Sequence, residues 1–311
     1  MNKYKKKVLG IGGGTGLSTL FRGLRNNDID ISGIISVTDD GGSSGRLREG
    51  FGILPPGDFR NCLVALSNTE PILQKLFQHR FDGNDPLSGH SFGNLFILAM
   101  EEITGSFEEA LEESCKILNV KGRLLPSTFD QINLKSEMND GSNVLGESNI
   151  QKNLSGIKTL SLEPNNALPN PKALDAIANS DYIVIGPGSL FTSILPNFLV
   201  PNVSDSLTNS PAIKIYVCNI ATQLGETDNF SACDHIETLL DYIDNLKLDY
   251  ILVNNNIRNL GAGFPTSKCV EEGSLNKDWG NIVLGDLMND NFKGHHDSDK
   301  LSDVIMNIIE R

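Results

Sequence analysis

The sequence predicts an α/β protein with a Rossmann-like, doubly wound and mostly parallel sheet, helices on both faces and a small β-rich excursion. Three observations predict this class. Short apolar runs end in glycine-rich or polar loops, amphipathic helical patterns follow several of these loops, and the 311 residues have an ordinary globular composition with 39% hydrophobic and 21% charged side chains. Strands that alternate with helices form parallel sheets whose two faces are both buried.

The chain opens with a strand–turn–helix unit. Residues 8–11 form a short apolar run, residues 12–16 contain four glycines and a threonine, and an amphipathic helical pattern follows. A second strand is expected at 33–37, where it runs into a polar, glycine-rich segment that includes Asp39 and Asp40. Open α/β sheets bind their ligands at such carboxyl ends of strands.

Residues 57–119 are predicted to be helical, and residues 121–162 are predicted to form the β-rich excursion. Within the helical part, residues 92–100 are apolar all round, which is typical of a fully buried helix. The excursion has short runs of Thr, Val and Ile, few helical stripes and a turn at 139–141. We interpret residues 1–311 as a single domain that contains this excursion.

The α/β pattern returns in the second half of the chain. Strands are predicted at 182–185, 213–217, 250–253 and 282–284. The first three of these enter polar loops. An amphipathic helix over 301–308 closes the chain.

Charge and cysteine usage exclude several classes of protein. The 39 acidic and 26 basic side chains give a formal net charge of −13, which argues against a nucleic-acid binder but not against a local site for one small anion. No long apolar segment follows the N-terminal lysines, and prolines interrupt the uncharged stretch 182–204, so neither a signal peptide nor membrane insertion is predicted. Five scattered cysteines indicate reduced thiols in the cytoplasm.

The first glycine turn is the leading candidate for phosphate or nucleotide binding, through Gly12, Gly13, Gly14, Thr15 and Gly16. Glycines between a strand and a helix let the backbone approach a phosphate, whose charge is met by free amides and by the helix dipole. The usual dinucleotide spacing is not met because its third glycine position holds Thr15, and Leu17 replaces the lysine of a P-loop. The alternative is a turn used only for close packing of strand and helix.

Asp39 and Asp40 lie where a dinucleotide site keeps its ribose-binding acid. The same carboxylates are candidates to hold Mg²⁺ on a substrate phosphate, although the sequence predicts no firm metal or cofactor. The alternative is turn chemistry, because Asp-Gly is a favoured turn pair.

Further candidate ligand contacts follow other predicted strands or begin helices. Arg60 and Asn61 stand in the first turn of a helix that Asp58 can cap, and Asn94 follows His90, which we interpret as a satisfied cap. The second half contributes Gly186, Gly188, Ser189, Asn219, Thr222 and Gln223. The pair at 295–296 has no other histidine nearby and is expected at the surface.

Several motifs resemble those of the bacterial gluconeogenesis factor family. They are Gly-Gly-Gly-Thr-Gly at 12–16, Asp-Asp-Gly-Gly-Ser-Ser-Gly-Arg-Leu-Arg at 39–48, Leu-Pro-Pro-Gly-Asp-Phe-Arg-Asn-Cys-Leu-Val-Ala-Leu at 54–66, Gly-His-Ser-Phe-Gly-Asn-Leu at 89–95, Gly-Pro-Gly-Ser-Leu-Phe-Thr-Ser at 186–193 and Thr-Gln-Leu-Gly-Glu-Thr-Asp at 222–228. The match covers essentially the whole chain, and the family is similar in fold to the 2-phospho-L-lactate transferases of coenzyme F420 synthesis.

The resemblance implies a cytoplasmic protein required for cell shape on gluconeogenic carbon sources, with a nucleotide-sugar ligand of the UDP-N-acetylglucosamine type. Two positions depart from the family pattern. Leu224 replaces a usual proline, and His295 stands where arginine is more frequent, so a ligand contact made by that arginine would be weaker here. Residues for a deazaflavin acceptor are not found, so the resemblance supports binding better than catalysis.

The preferred hypothesis is therefore a UDP-sugar-binding regulatory factor that links carbon metabolism to cell-wall construction and forms a homo-oligomer. The first alternative is a 2-phospho-L-lactate transferase-like enzyme that transfers a phospho-acyl group from a nucleotide donor, with Asp39 or Asp40 holding Mg²⁺. The second is a nicotinamide-dependent oxidoreductase, which the imperfect glycine spacing disfavours.

Overall fold

The computed structural model describes residues 4–261, 263–264 and 266–311. The strands are β1 (Lys6–Gly12), β2 (Ile29–Ile35), β3 (Arg123–Pro126), β4 (Asn133–Met138), β5 (Asn143–Leu145), β6 (Ile157–Glu163), β7 (Tyr182–Ile185), β8 (Ile213–Val217), β9 (Tyr250–Asn254) and β10 (Asn281–Gly285). The α-helices are α1 (Gly14–Leu24), α2 (Gly42–Phe51), α3 (Gly57–Leu66), α4 (Pro71–Gln78), α5 (Phe92–Thr104), α6 (Phe107–Ile117), α7 (Glu147–Ile150), α8 (Pro171–Ala178), α9 (Leu195–Leu199), α10 (Val203–Asn209), α11 (Ala232–Tyr242) and α12 (Ser298–Ile309).

In the part of the chain that the structure describes, seven strands form a parallel sheet in the order β10-β9-β8-β7-β1-β2-β3. From β1 the chain adds strands in one direction, and from β7 it adds them in the other. The strand order therefore reverses between β1 and β7, where Ile11 lies beside Ile185. In doubly wound sheets this switch point is where ligands bind, at the carboxyl ends of the strands.

The centre of the sheet is covered on both faces. Ile183, Val184 and Ile185 succeed one another in β7 and are all completely buried. Successive side chains of a strand point to opposite faces, so both faces must be packed. The predicted fold class is confirmed, and the strands predicted at 182–185 and 213–217 have the observed bounds. The second strand starts earlier than predicted, at Ile29.

A second, antiparallel sheet has the order β5-β4-β6 and lies within residues 133–163. The interval predicted as β-rich also contains β3, but that strand pairs with β2 and forms an edge of the main sheet. In β4, buried residues alternate with more exposed ones, as expected for a strand with one face on the core. The short helix α7 follows β5 and contacts the loop after β2, through Thr38 and Asp40.

The prediction that the helix at 92–100 is buried all round is wrong. In α5, Ala99 and Ile103 are exposed, and Phe92 and Phe96 are only partly buried. The reason is that α5 packs chiefly on α4 and α6, which cover only part of its surface. Among the described residues, none of the helices has the length and apolar character that crossing a bilayer requires.

Candidate functional site

Two glycine turns meet at the switch point of the sheet. The first joins β1 to α1, and the second follows β7 at residues 186–189. A Cβ atom at Gly16 would overlap the carbonyl oxygen of Pro187, so the two turns approach more closely than any side chain allows. Packing thus accounts for Gly16, but the same approach also brings the N-terminus of α1 beside the second turn.

A cleft opens beside these turns, with a cavity volume of about 150 Å³. Predicted residues on its wall are Thr15, Gly16, Gly188, Ser189, Asn219, Thr222 and Gln223. The Asn219 amide donates to Gln223 Oε1 at 3.1 Å, which fixes the two side chains relative to each other. The structure therefore brings together seven predicted residues from both halves of the chain, whereas the predicted Gly12, Gly13, Gly14 and Gly186 do not line the cleft.

The cleft also contains residues that sequence reasoning did not assign to a site. They are Thr19, Ala221, Phe264, Ser267, Gly294, His295 and His296. The His295 and Phe264 rings are in edge contact, with centroids 5.4 Å apart. These histidines lie in the loop after β10, at the carboxyl edge of the sheet, and that position is the signal that could have identified them.

The expectation that the histidine pair lies at the surface is wrong for His296, which is 7% exposed. Its Nε2 hydrogen-bonds the carbonyl oxygen of Cys218, 3.1 Å away at the end of β8. Burial lowers the pKa of His296 to about 4, so the ring is neutral at pH 7. His296 is buried because the loop before α12 folds back against β8. Within that loop, Met288 and His296 pair as an isolated antiparallel β-bridge.

The candidate aspartates lie on the other side of the first glycine turn. Asp39 Oδ1 accepts from the Gly41 amide at 2.9 Å, as expected for an aspartate that stabilises a turn. Asp40 Oδ1 accepts from the amide of Ser148 in α7 at 2.8 Å. Asp40 therefore holds the excursion against the main sheet.

A half-buried carboxyl group that the sequence indicated only as a helix cap lies next to the turn. Asp58 Oδ2 accepts from the Gly14 amide at 2.5 Å. Burial, followed by the charge of Asp39, raises the pKa of Asp58 to about 6. Burial and the charges of Asp39 and Asp58 raise the pKa of Glu147 as well, and Glu147 accepts from the Thr38 hydroxyl at 3.0 Å. We call Asp39, Asp58 and Glu147 the acidic group.

This arrangement does not by itself form a metal centre. Within the described ranges, no three His, Cys, Asp or Glu side chains are arranged to hold a metal ion. Asp39 and Asp40 serve different contacts, because Asp40 is bonded to α7. Mg²⁺ in proteins is commonly held by one or two carboxylates together with substrate phosphates, so Asp39 would need oxygens from a ligand to complete the coordination.

Arg60, Asn61 and Asn94, which were predicted as ligand contacts, lie close together but do not line the cleft. Arg60 is 7% exposed and donates to Asn61 Oδ1 at 2.8 Å and to Asn94 Oδ1 at 3.1 Å. Asn94 donates in turn to Ser43, which hydrogen-bonds His90. These residues form a buried polar network whose cation faces Asp58 and Asp39.

The fold and the cleft define a Rossmann-like α/β protein with paired glycine turns at the switch point of its sheet. The family model of 2-phospho-L-lactate transferase CofD matches residues 8–262. The gluconeogenesis factor of Halalkalibacterium halodurans is 50% identical over 250 residues, which are 80% of this chain and 78% of that protein. The gluconeogenesis factor of Bacillus subtilis is 49% identical over 251 residues, with coverages of 81% and 79%.

A similar protein has also been solved by crystallography. A UPF0052-family protein from Bacillus halodurans has 42% identity and a TM-score of 0.92, and the match covers 98% of this chain and 100% of that one. The chain therefore belongs to the gluconeogenesis factor family, within the proteins that the 2-phospho-L-lactate transferase CofD model describes.

Proposed function

We propose that the protein binds a nucleotide sugar of the UDP-N-acetylglucosamine type in the cleft at the switch point. The observation that carries this proposal is the composition of the cleft wall. Backbone amides at Thr15 and Gly16 in the first turn of α1, and in the second glycine turn, suit the diphosphate because a helix N-terminus favours negative charge. Thr222 and Gln223 lie further along the wall and offer hydroxyl and amide groups to a sugar.

The binding residues in this proposal lie on both sides of the switch point. Thr15 and Gly16 contribute from the first turn, and Gly188 and Ser189 contribute from the second. Gly12, Gly13, Gly14 and Gly186 shape the two turns but do not line the cleft, and the Gly14 amide donates to Asp58. Asn219, Thr222 and Gln223 extend the wall toward the sugar. Phe264 and His295 offer an aromatic surface that a base or sugar ring can contact.

The test is calorimetry with UDP-N-acetylglucosamine, UDP, GDP and NAD in excess chelator. We expect the nucleotide sugar to bind without a metal, and GDP and NAD to bind more weakly. Absence of heat with every uridine nucleotide, at protein concentrations up to the millimolar range, would contradict the proposal.

A substitution in the distal wall tests the orientation of the ligand. Gln223→Ala removes one neutral hydrogen bond, worth about 0.5–1.5 kcal/mol. The loss of affinity should be larger for UDP-N-acetylglucosamine than for UDP, because only the intact nucleotide sugar reaches this side chain. Equal losses for the two ligands would reverse the proposed orientation.

The cellular role that we propose is that of a cytoplasmic factor required for cell shape during growth on gluconeogenic carbon sources. The names of the relatives support the link to gluconeogenesis, and five free cysteines are consistent with a reducing compartment. Deletion of the gene should disturb cell shape on gluconeogenic carbon and not on glucose. Homo-oligomerisation stays a prediction, which sedimentation equilibrium can check.

A phospho-acyl transferase is the second candidate function. It is favoured by the match to the transferase family model and by the acidic group beside Gly14. In this case Asp39 would hold Mg²⁺ together with ligand phosphate oxygens. Turnover of a phospholactate-type nucleotide donor, together with loss of all nucleotide binding in chelator, would favour the enzyme over the binding factor.

A further inference from the structure

Glu226 is a buried carboxylate at the back of the cleft wall. It is 4% exposed and does not itself line the cleft. The Ser189 hydroxyl donates to Glu226 Oε2, and Ser189 does line the cleft. The carboxylate therefore contacts, from behind, a side chain that faces the ligand.

All hydrogen-bonding capacity of the Ser189 hydroxyl is used within the protein. A hydroxyl has one hydrogen to donate and two lone pairs. The hydrogen goes to Glu226, and Ser189 Oγ accepts from the Thr192 amide at 3.2 Å and from the Thr192 hydroxyl at 2.8 Å. An ionised phosphate offers only acceptor oxygens, so this hydroxyl has no hydrogen left for it.

The contact also joins three segments of the chain. Ser189 belongs to the turn after β7, and Glu226 belongs to the loop that carries Thr222 and Gln223. The Gln151 side chain, next to α7, lies close enough to Glu226 to lower its pKa. A Cβ atom at Gly225 would lie 2.5 Å from the carbonyl oxygen of Asn153, so the loop and the excursion are in close contact. A change at Glu226 therefore affects both the turn after β7 and the loop that carries Thr222 and Gln223.

We propose that Glu226 is a positioning residue: its carboxylate holds the Ser189 hydroxyl away from the cleft, and uptake of one proton by that carboxylate releases the hydroxyl to a phosphate oxygen of the ligand. Protonated Glu226 donates to Ser189 Oγ. The Thr192 hydroxyl lies 3.4 Å from both carboxylate oxygens, so it can donate to the oxygen without the proton. After this exchange, the two hydroxyl groups and the Glu226 carboxyl all still have hydrogen-bond partners.

The environment places this protonation near neutral pH. Burial raises the pKa of Glu226 to about 7, although the side chains of Ser189, Thr192 and Gln151 act to lower it. A bound diphosphate adds negative charge nearby and favours the protonated form further.

The charged groups around Glu226 also favour its protonated form. The charged group facing it from α7 is Glu147, and Glu226 helps to raise the pKa of that carboxyl. Asp39 and Asp58 act on Glu147 in turn, and Asp228 is exposed on the same loop. Across the cleft, burial lowers the pKa values of His295 and His296.

The inference rests on the proposed function, because its ligand is the nucleotide sugar. The first measurement is therefore made without ligand: the Thr192 amide is followed by NMR from pH 5.5 to 8.5. We expect a titration with a midpoint near 7 in the wild type and none in Glu226→Gln. Asp228→Asn removes a carboxylate of the same loop, which accepts from the Gly225 amide at 2.6 Å, and should keep the titration.

The second measurement is the Kd for UDP-N-acetylglucosamine over the same pH range. We expect the wild-type Kd to rise about tenfold per pH unit above pH 7, as coupling to one proton requires. Glu226→Gln should flatten this rise and Asp228→Asn should preserve it. Ser189→Ala should weaken binding at pH 6 and reduce the rise in Kd above pH 7, because alanine has no hydroxyl that the proton can release.

The two measurements separate failure of this inference from failure of the proposed function. A Kd that rises equally in the wild type and in Glu226→Gln would overturn the role of Glu226, and so would a Thr192 amide that does not titrate. If UDP-N-acetylglucosamine does not bind at any pH, the proposed function fails, and the ligand-free titration still decides whether Glu226 controls the Ser189 hydroxyl.

Discussion

Gly16 and Asp58 show how single residues hold the two sides of the first glycine turn. The missing side chain of Gly16 lets the carbonyl of Pro187 approach the start of α1. On the other side, the Asp58 carboxyl accepts from the Gly14 amide. The turn is thus held by a close backbone approach on the side of the cleft and by the half-buried Asp58 carboxyl on the side of the acidic group.

Gly16→Ala should lower the free energy of unfolding by about 1–3 kcal/mol, because the new methyl group overlaps backbone that cannot rotate away. Gly50→Ala is the matched control, since Gly50 lies within α2 with nothing within 4 Å of its Cβ position. That substitution should raise stability by about 0.5–1 kcal/mol. Urea unfolding measures both variants, and similar effects in the two would contradict the importance of the close approach.

Asp58→Asn should change how stability depends on pH. The folded protein holds the Asp58 proton with a pKa of about 6, whereas the ordinary value is 3.8. Stability from this proton is complete below about pH 4 and is lost as the pH rises to about 6, on the order of 2–3 kcal/mol. The variant should lose less stability over this range. Asp82→Asn, at an exposed aspartate, is the control and should follow the wild type in denaturant titrations at pH 4, 5, 6 and 7.

At the scale of elements, the strands were predictable and their long-range contacts were not. Short apolar runs bounded by glycine or polar residues located β7 and β8, because local pattern decides such strands. The acidic group escaped detection because Glu147 comes from the excursion, more than a hundred residues after Thr38, which it contacts. Likewise, nothing near α5 in sequence indicates that α4 and α6 leave part of it exposed.

The attachment of the excursion to the main sheet depends on Gly146, which precedes α7. Gly146→Ala would place Cβ against Asp40 Oδ2 and disturb the bond between Asp40 and the Ser148 amide. Gly141→Ala is a matched control, because both glycines have positive φ (+93° and +83°) but Gly141 has open space around it. We expect Gly146→Ala to cost about 1–3 kcal/mol more than Gly141→Ala. Faster hydrogen exchange in β4 and β6 should accompany the loss, and equal costs would show that the Asp40 contact is unimportant.

On the scale of the whole molecule, the main sheet consists of two sets of strands that join at the β1–β7 pair. The set β1–β3 carries the first glycine turn, and the set β7–β10 carries the second turn and the distal wall of the cleft. The cleft therefore lies across the joint, with Thr15 on one side and Gln223 on the other. A ligand that contacts both sides therefore links the two sets of strands.

This arrangement predicts how a bound nucleotide sugar protects the molecule. At a free ligand concentration of 100 times Kd, binding should stabilise the folded state by about 2.7 kcal/mol. Amides that exchange only through global unfolding should then exchange about 100-fold more slowly, in β1 and β2 as well as in β8 and β9. Hydrogen exchange with UDP-N-acetylglucosamine, and with free N-acetylglucosamine as the control, measures this effect. Protection confined to one set of strands would mean that the ligand contacts only one side of the joint, because a ligand that bridges both sides must be released before either set opens.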